Sequence, residues 1–244
     1  MSTALMYSFA QRSDTRVLDE PLYGHFLAKT GAERPDREAT LAAWPTTAEA
    51  ALQFMAPTPL ERNGDRVLFC KHMANHLEGL PWHEFEGDRH VLLFRNPAAV
   101  MASYGAHITR PTMQDVGYAL QCQLLERLMA SGRPPVVICS DRLQSAPEST
   151  LRAMCAAMGL EWNADMMQWP PGARPEDGPW APWWYSGVHA SSGWEPREPR
   201  GHAAAAAARH DDVGVHAVAA GRGHPEAHLA LGFRAFLRGD CDAR

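Results

Sequence analysis

HVLLFRNPAAVMASY, residues 90–104, changes its hydrophobic pattern half-way along. The first half is an unbroken apolar run of strand length, the composition of a strand buried on both faces. Arg95 and Asn96 end it, and Pro97 suits the first turn of a helix that continues over residues 98–107. The same alternation recurs outward from this point. Residues 15–20 (TRVLDE), 66–71 (RVLFCK) and 135–140 (PVVICS) read as further strands. Residues 2–12, 21–29, 37–44, 48–55, 113–131 and 147–158 read as helices, with Gly132 and Gly159 as stops after the last two. A strand–helix alternation of this kind predicts an α/β fold, a parallel sheet with helices on both faces. Ligands of such sheets bind beyond the carboxyl ends of the strands. That rule singles out Glu20, Lys71, His72, Arg95 and Asn96.

Bulk properties narrow the function. Of 244 residues, 45% are apolar and 21% charged, which is ordinary for a globular protein. A formal net charge of −5 gives no basic footprint and argues against nucleic acid as a partner. Cys70, Cys122, Cys139, Cys155 and Cys241 lack disulfide or metal-site spacing. No apolar run approaches membrane-spanning length, and no signal peptide is visible. The expectation is a cytoplasmic protein that uses no membrane and no metal. Oligomeric state is not legible.

Several residues carry two readings. Ser2 and Thr3 open an amphipathic helix, either as caps or as the start of a helix whose free N–H groups face a phosphate. Arg95 is a surface ion-pair residue or a bidentate phosphate ligand, and Ser103 a solvated hydroxyl or its neighbour on the next helix turn. His72 is a capping histidine or a base of near-neutral pKa. His76 lies one helical turn further on, but no adjacent Glu or third ligand completes a zinc site. Glu20 caps a helix, holds an arginine or acts as the competing base, and Lys71 is solvated or steadies developing charge. Residues 162–194 are rich in Pro, Gly and Trp, with Trp180, Trp183, Trp184 and Tyr185 close together. That much aromatic surface suits an ordered segment laid over the sheet better than a linker.

Four stretches occur in order: STALMYSFAQRSDTRVLDEPLYGHFL (2–27), VLFCKHMANHL (67–77), HVLLFRNPAAVMASY (90–104) and GPWAPWWYSGVHASSGW (178–194). Together they resemble a bacterial sulfotransferase-like family of the P-loop superfold, over roughly residues 1–198. The resemblance implies a three-layer P-loop-type sheet. It also implies sulfuryl transfer from PAPS (3′-phosphoadenosine 5′-phosphosulfate) to a hydroxyl or amine of a small-molecule acceptor. By the same resemblance, Ser2 and Thr3 meet the phosphosulfate while Arg95 and Ser103 hold the 3′-phosphate. Arg174, Gly178 and Trp180 complete the donor site, His72 or Glu20 takes the acceptor proton, and Lys71 steadies the transferring group. Two alternatives stay open. One is a P-loop nucleotide-binding module or kinase-like phosphotransferase, weakened because no Gly-Lys-Ser/Thr occurs. The other is a catalytically inactive sulfotransferase-like protein.

The resemblance also implies a strand and a glycine-containing phosphate loop directly before Ser2, so the fold is expected to lack its first strand as an N-terminally truncated domain of residues 1–200. From residue 201 the composition shifts to an Ala/His/Arg-rich tail, with alanine at 203–208 and five of the twelve histidines. Within it, residues 225–239 have the spacing of a helix with Leu229, Phe233 and Phe236 on one face. The family would continue here with a polar, tyrosine-bearing helix, so a change of reading frame is expected. Translating the coding sequence beyond codon 200 in the other two frames should restore that helix; its absence from both frames refutes the frame change.

Overall fold

The computed structural model describes residues 1–56, 66–85, 87–105, 108 and 112–196. The tail, with its candidate helix at 225–239, lies outside the described residues, as does the end of the helix expected over 98–107. The described residues form two compact units from interleaved segments: those within 1–85, 100–123 and 163–194 in the first, and those within 86–99, 124–162 and 195–196 in the second.

In the first unit, β1 (Thr15–Asp19) and β2 (Val67–Lys71) pair in parallel, in register from Thr15 opposite Val67 to Asp19 opposite Lys71. A parallel pair requires a crossover. It is made by α2 (Tyr23–Thr30), α3 (Arg37–Ala43) and α4 (Ala48–Phe54). Helix α1 (Ser2–Phe9) packs on both strands with Leu5, Met6, Tyr7 and Phe9 buried. Phe9 stacks on Phe69 of β2, ring centroids 4.3 Å apart. Helix α2 buries Tyr23, Phe26 and Leu27 against Trp180, Ala181 and Tyr185.

The aromatic stretch is ordered, as its composition predicts. A 3₁₀ turn (Ala164–Met167) leads into it, and the ladder contact of Gln168 with Gly193 closes its base. Two short helices follow, α10 (Ala181–Trp184) and α11 (Ser186–His189). Trp169, Trp180 and Tyr185 are buried, while Trp183 is exposed.

In the second unit, β3 (Val91–Phe94) pairs in parallel with β4 (Val136–Cys139). Leu92, Phe94, Val136 and Ile138 are buried, and the residues between them are half-buried. The runs expected to be buried on both faces are therefore fully buried on alternate positions only. Asn96 explains how the strand gives way to α5 (Pro97–Gly105). Its Oδ1 accepts from the backbone N–H of Ala98 (2.9 Å) and Ala99 (3.3 Å), capping a helix whose first residue is the proline. Asn96 is thus a structural cap. Helices α8 (Ser140–Ser145) and α9 (Pro147–Ala157) pack on β4 and bury Leu143, Leu151 and Met154.

The single helix expected over residues 113–131 is two. Helix α6 (Met113–Val116) opens with a Thr112–Asp115 capping box and ends at Gly117 in the left-handed region (φ 69°), and α7 (Tyr118–Ala130) follows. The apolar period runs through both helices, so periodicity alone missed the break. The described strands form two two-stranded parallel sheets, and the architecture is mixed α/β.

A Cβ at Gly117 would also stand 3.2 Å from the backbone nitrogen of Asn75. Gly117→Val should therefore lower stability by about 1–3 kcal/mol through left-handed strain. A urea midpoint unchanged from wild type would refute that.

Candidate functional site

The site starts from the parallel register. Asp19 and Lys71 are the last paired residues of β1 and β2, so their side chains leave the same face of the sheet. Lys71 Nζ lies 3.0 Å from Asp19 Oδ1, and both side chains are buried. The Tyr185 hydroxyl donates to Asp19 (2.8 Å) and accepts from Lys71 (2.6 Å) and from Trp180 Nε1 (2.9 Å). The backbone N–H of Gly178 donates to Asp19 Oδ2 at 3.0 Å. A side chain at Gly178 would run into the Trp180 ring, its Cβ 2.1 Å from that ring.

Glu20 is the first residue after β1. In a continuing strand its side chain would leave the opposite face from Asp19. Its φ of 42° instead turns the chain, a costly conformation for a non-glycine residue. The turn brings the Glu20 carboxylate to the same ammonium, which donates to Glu20 Oε1. Burial pushes the Glu20 pKa from its ordinary 4.5 up to about 7; Lys71 pulls it down and Asp19 pushes it further up. Burial works against the charge on Lys71, but Asp19 and Glu20 outweigh it and hold the pKa well above the usual lysine value. Lys71 is a charged, buried cation between two carboxylates.

His76 stands behind Glu20, its Nδ1 3.7 Å from Glu20 Oε2. Its ring stacks on Tyr23 (4.6 Å) and lies 4.8 Å from Phe26, the two side chains one turn apart on α2. Burial, then the neighbouring His72 and Lys71, hold its pKa well below the ordinary histidine value, so it is neutral at pH 7. Among the described residues no group of three or more His, Cys, Asp or Glu side chains is arranged to hold a metal.

Glu20, Lys71, His76, Trp180 and Tyr185 border a cavity of about 210 Å³. Its polar rim includes Ser2, Thr3, Glu20, Lys71 and Ser103, and its aromatic wall includes Tyr23, Phe26, Tyr104, Trp180 and Trp184. Met1 occupies the N-cap position of α1, and no side chain caps that helix. Ser2 and Thr3 are therefore inside the helix, not caps, and the helix start borders the cavity. Arg34 also lines it, paired with Asp115 at 2.5 Å.

Ser2, Thr3, Glu20, Lys71, Ser103 and Trp180, all singled out in the sequence, thus meet at one cavity. His72 follows β2 half-buried and lies outside the cavity lining. Arg95 follows β3 in the second unit. Arg174 pairs with Glu176 (3.1 Å) and lies over the Tyr7 ring at 5.5 Å. Sequence reasoning missed Asp19, Tyr185, His76 and Asn75 as members of the site. Asp19 beside Glu20 at a strand end was a usable signal for the first; the others depend on chain crossings that no local pattern encodes.

Parallel strands joined by helices, with a polar cavity at the carboxyl ends of β1 and β2, define an α/β protein with its ligand site where such folds place it. A family model for a sulfotransferase domain matches residues 1–219, and the chain belongs to that family. Branched-chain-amino-acid aminotransferase-like proteins 1 and 2 of Arabidopsis thaliana are each 38% identical to it over 195 residues, covering 80% of this chain and 34% of theirs. The chain therefore spans about a third of the length of these curated relatives. No solved structure matches it significantly. No helix among the described residues is long and apolar enough to cross a membrane.

Glu20 keeps its proton to about pH 7 in the folded chain and only to about 4.5 when unfolded. Folding takes up a proton between these values, so this group's contribution is full below about pH 4.5 and is lost as pH rises to about 7. Glu20→Gln should flatten stability against pH across that window. Chemical denaturation at a series of pH values checks it, and an unchanged slope refutes it.

Proposed function

We propose that the chain catalyses sulfuryl transfer from PAPS to a hydroxyl or amine of a small molecule. The observation that carries this reading is the cavity itself, where the start of α1 and a buried carboxylate titrating near neutral pH stand together in a sulfotransferase-family chain. Helix-start N–H groups and hydroxyls suit the oxygens of a transferring sulfuryl group, because the helix dipole favours negative charge there. The residues present fit the phosphosulfate end of PAPS at Ser2 and Thr3.

For a hydroxyl acceptor, its oxygen forms a bond to sulfur as the bond from sulfur to the bridging donor oxygen breaks. That oxygen keeps the electron pair and leaves as the phosphate of adenosine 3′,5′-bisphosphate. Glu20 accepts the acceptor proton; its position on the cavity and its pKa near 7 favour it over His72 as base. Lys71 is already bound to Glu20, Asp19 and Tyr185, so its role is to hold the base in place. Ser103 and Trp180 border the same cavity and serve the donor, with Arg95 as the proposed ligand of the 3′-phosphate. Arg174 and Gly178 act indirectly, Gly178 by admitting the Trp180 ring. The proposed compartment is the cytoplasm, the proposed acceptor a small molecule, and no metal takes part.

Release of adenosine 3′,5′-bisphosphate from PAPS, followed over a set of phenols, alcohols and amines, tests the reading. Glu20→Gln should keep PAPS affinity and lose roughly 10²–10⁴-fold in turnover. Arg95→Ala should weaken PAPS binding, and His72→Ala should retain turnover. Full turnover in Glu20→Gln with loss in His72→Ala would reverse the base assignment. Failure of the wild-type chain to bind PAPS would overturn the function.

A further inference from the structure

Two carboxylates share the Lys71 ammonium, and they are held in different ways. Asp19 is enclosed, its side chain 0% exposed, and it does not line the cavity. Donors surround it: Lys71 Nζ at 3.0 Å, the Tyr185 hydroxyl at 2.8 Å and the backbone N–H of Gly178 at 3.0 Å. Glu20 does line the cavity. Lys71 holds its Oε1, whereas its Oε2 has no hydrogen-bond partner among the described residues, His76 Nδ1 at 3.7 Å being too far. Oε2 is therefore the oxygen open to a proton from a ligand.

Charge balance ties the two carboxylates together. With both ionised, the cluster of Asp19, Glu20 and Lys71 carries a net negative charge, and a proton on Glu20 brings it to neutrality. Without the charge on Asp19, the same proton would leave Lys71 a buried ammonium with no counter-charge, a strongly unfavourable state. No other neighbour can take that part. His76 is neutral, and Arg34 is a cation paired with Asp115. Burial pushes the phenols of Tyr23, Tyr104 and Tyr185 above their ordinary pKa and keeps them uncharged. Asp36 is a buried carboxylate, but Thr40 and Trp184 meet it and it makes no ion pair with Lys71.

We propose that Asp19 is a positioning residue, the counter-ion that keeps Lys71 paired when Glu20 takes the acceptor's proton. For a hydroxyl acceptor the O–H bond breaks, its electron pair stays on the oxygen that bonds to sulfur, and the proton joins Glu20 Oε2. Lys71 stays at Oε1, and Asp19 alone then balances its charge. The pKa of Glu20 at about 7 agrees, because Asp19 pushes it up against the pull of Lys71. The inference deepens the sulfuryl-transfer reading and rests on it only for the source of the proton.

Asp19→Asn in the full chain removes this counter-charge at almost constant shape. Glu20 must then stay ionised to balance Lys71. Its carboxyl titration, followed by NMR and assigned by its loss in Glu20→Gln, should move down by about one pH unit or more. The acid limb of turnover against pH should move with it, while affinity for adenosine 3′,5′-bisphosphate stays within about twofold. Asp36→Asn removes a buried charge that does not touch Lys71 and should move the Glu20 midpoint much less. An unmoved midpoint in Asp19→Asn overturns the proposal, as does an equal shift in Asp36→Asn or an acid limb that ignores a moved midpoint. Should Asp19→Asn not fold, the wild-type spectrum decides: Glu20 titrating near neutral pH supports the proposal, and Asp19 titrating there in its place overturns it. Wild-type turnover with an unmoved midpoint would reject this proposal alone. A moved midpoint in a chain that never turns over PAPS would reject the sulfuryl-transfer reading and leave Asp19 as the counter-ion of Lys71.

Discussion

A single ammonium group, Lys71 Nζ, holds the first unit's functional geometry together. It is buried at the end of β2 between Asp19 and Glu20, with the Tyr185 hydroxyl against it. Removing such a charge from water costs several kcal/mol, and only close partners offset that cost. Two partners are adjacent, the last residue of β1 and the residue after it, and the third, Tyr185, lies between α10 and α11. The parallel register brings Asp19 opposite Lys71, the positive φ brings Glu20, and the aromatic segment brings Tyr185. The strained backbone at Glu20 is tolerated because its carboxylate reaches the ammonium.

The same constraint explains why the aromatic stretch is ordered. Trp180 donates to Tyr185, Gly178 donates to Asp19, and Trp184 donates to the buried Asp36. Asp177 adds a second tie: it accepts from the Tyr7 hydroxyl at 2.7 Å and faces His189 Nε2 at 3.0 Å. Tyr7 belongs to α1, the helix whose first residues border the cavity. The segment therefore walls the site and anchors the helix that opens onto it.

The fold was largely legible. Three of the four strands were visible as continuous apolar runs, and all four expected strands end within a residue of the observed ones. Asn96 and Pro97 announced the start of α5 through cap chemistry that needs no tertiary contact. The break at Gly117 was not legible, because the apolar period continues across it and the glycine's close approach to Asn75 joins residues far apart in sequence. Among the site residues, Glu20 and Lys71 were visible as strand-end polar groups, and Ser2 and Thr3 as a helix start. Reading the two hydroxyls as caps failed because the cap position falls on Met1.

What the sequence determined by itself is local: hydrophobic period, cap chemistry and polar residues at strand ends, enough to specify an α/β domain and a family. What only the tertiary structure decided is which of those polar residues share one environment. Glu20, His72 and Lys71 look alike as titratable groups beside strand ends. Burial beside Asp19 raises Glu20 towards neutrality, while burial, with His72 and Lys71 nearby, keeps His76 neutral behind it. Desolvation and the distance between charges set these protonation states. Both depend on which segments the fold packs together, and neither is encoded at the residue itself.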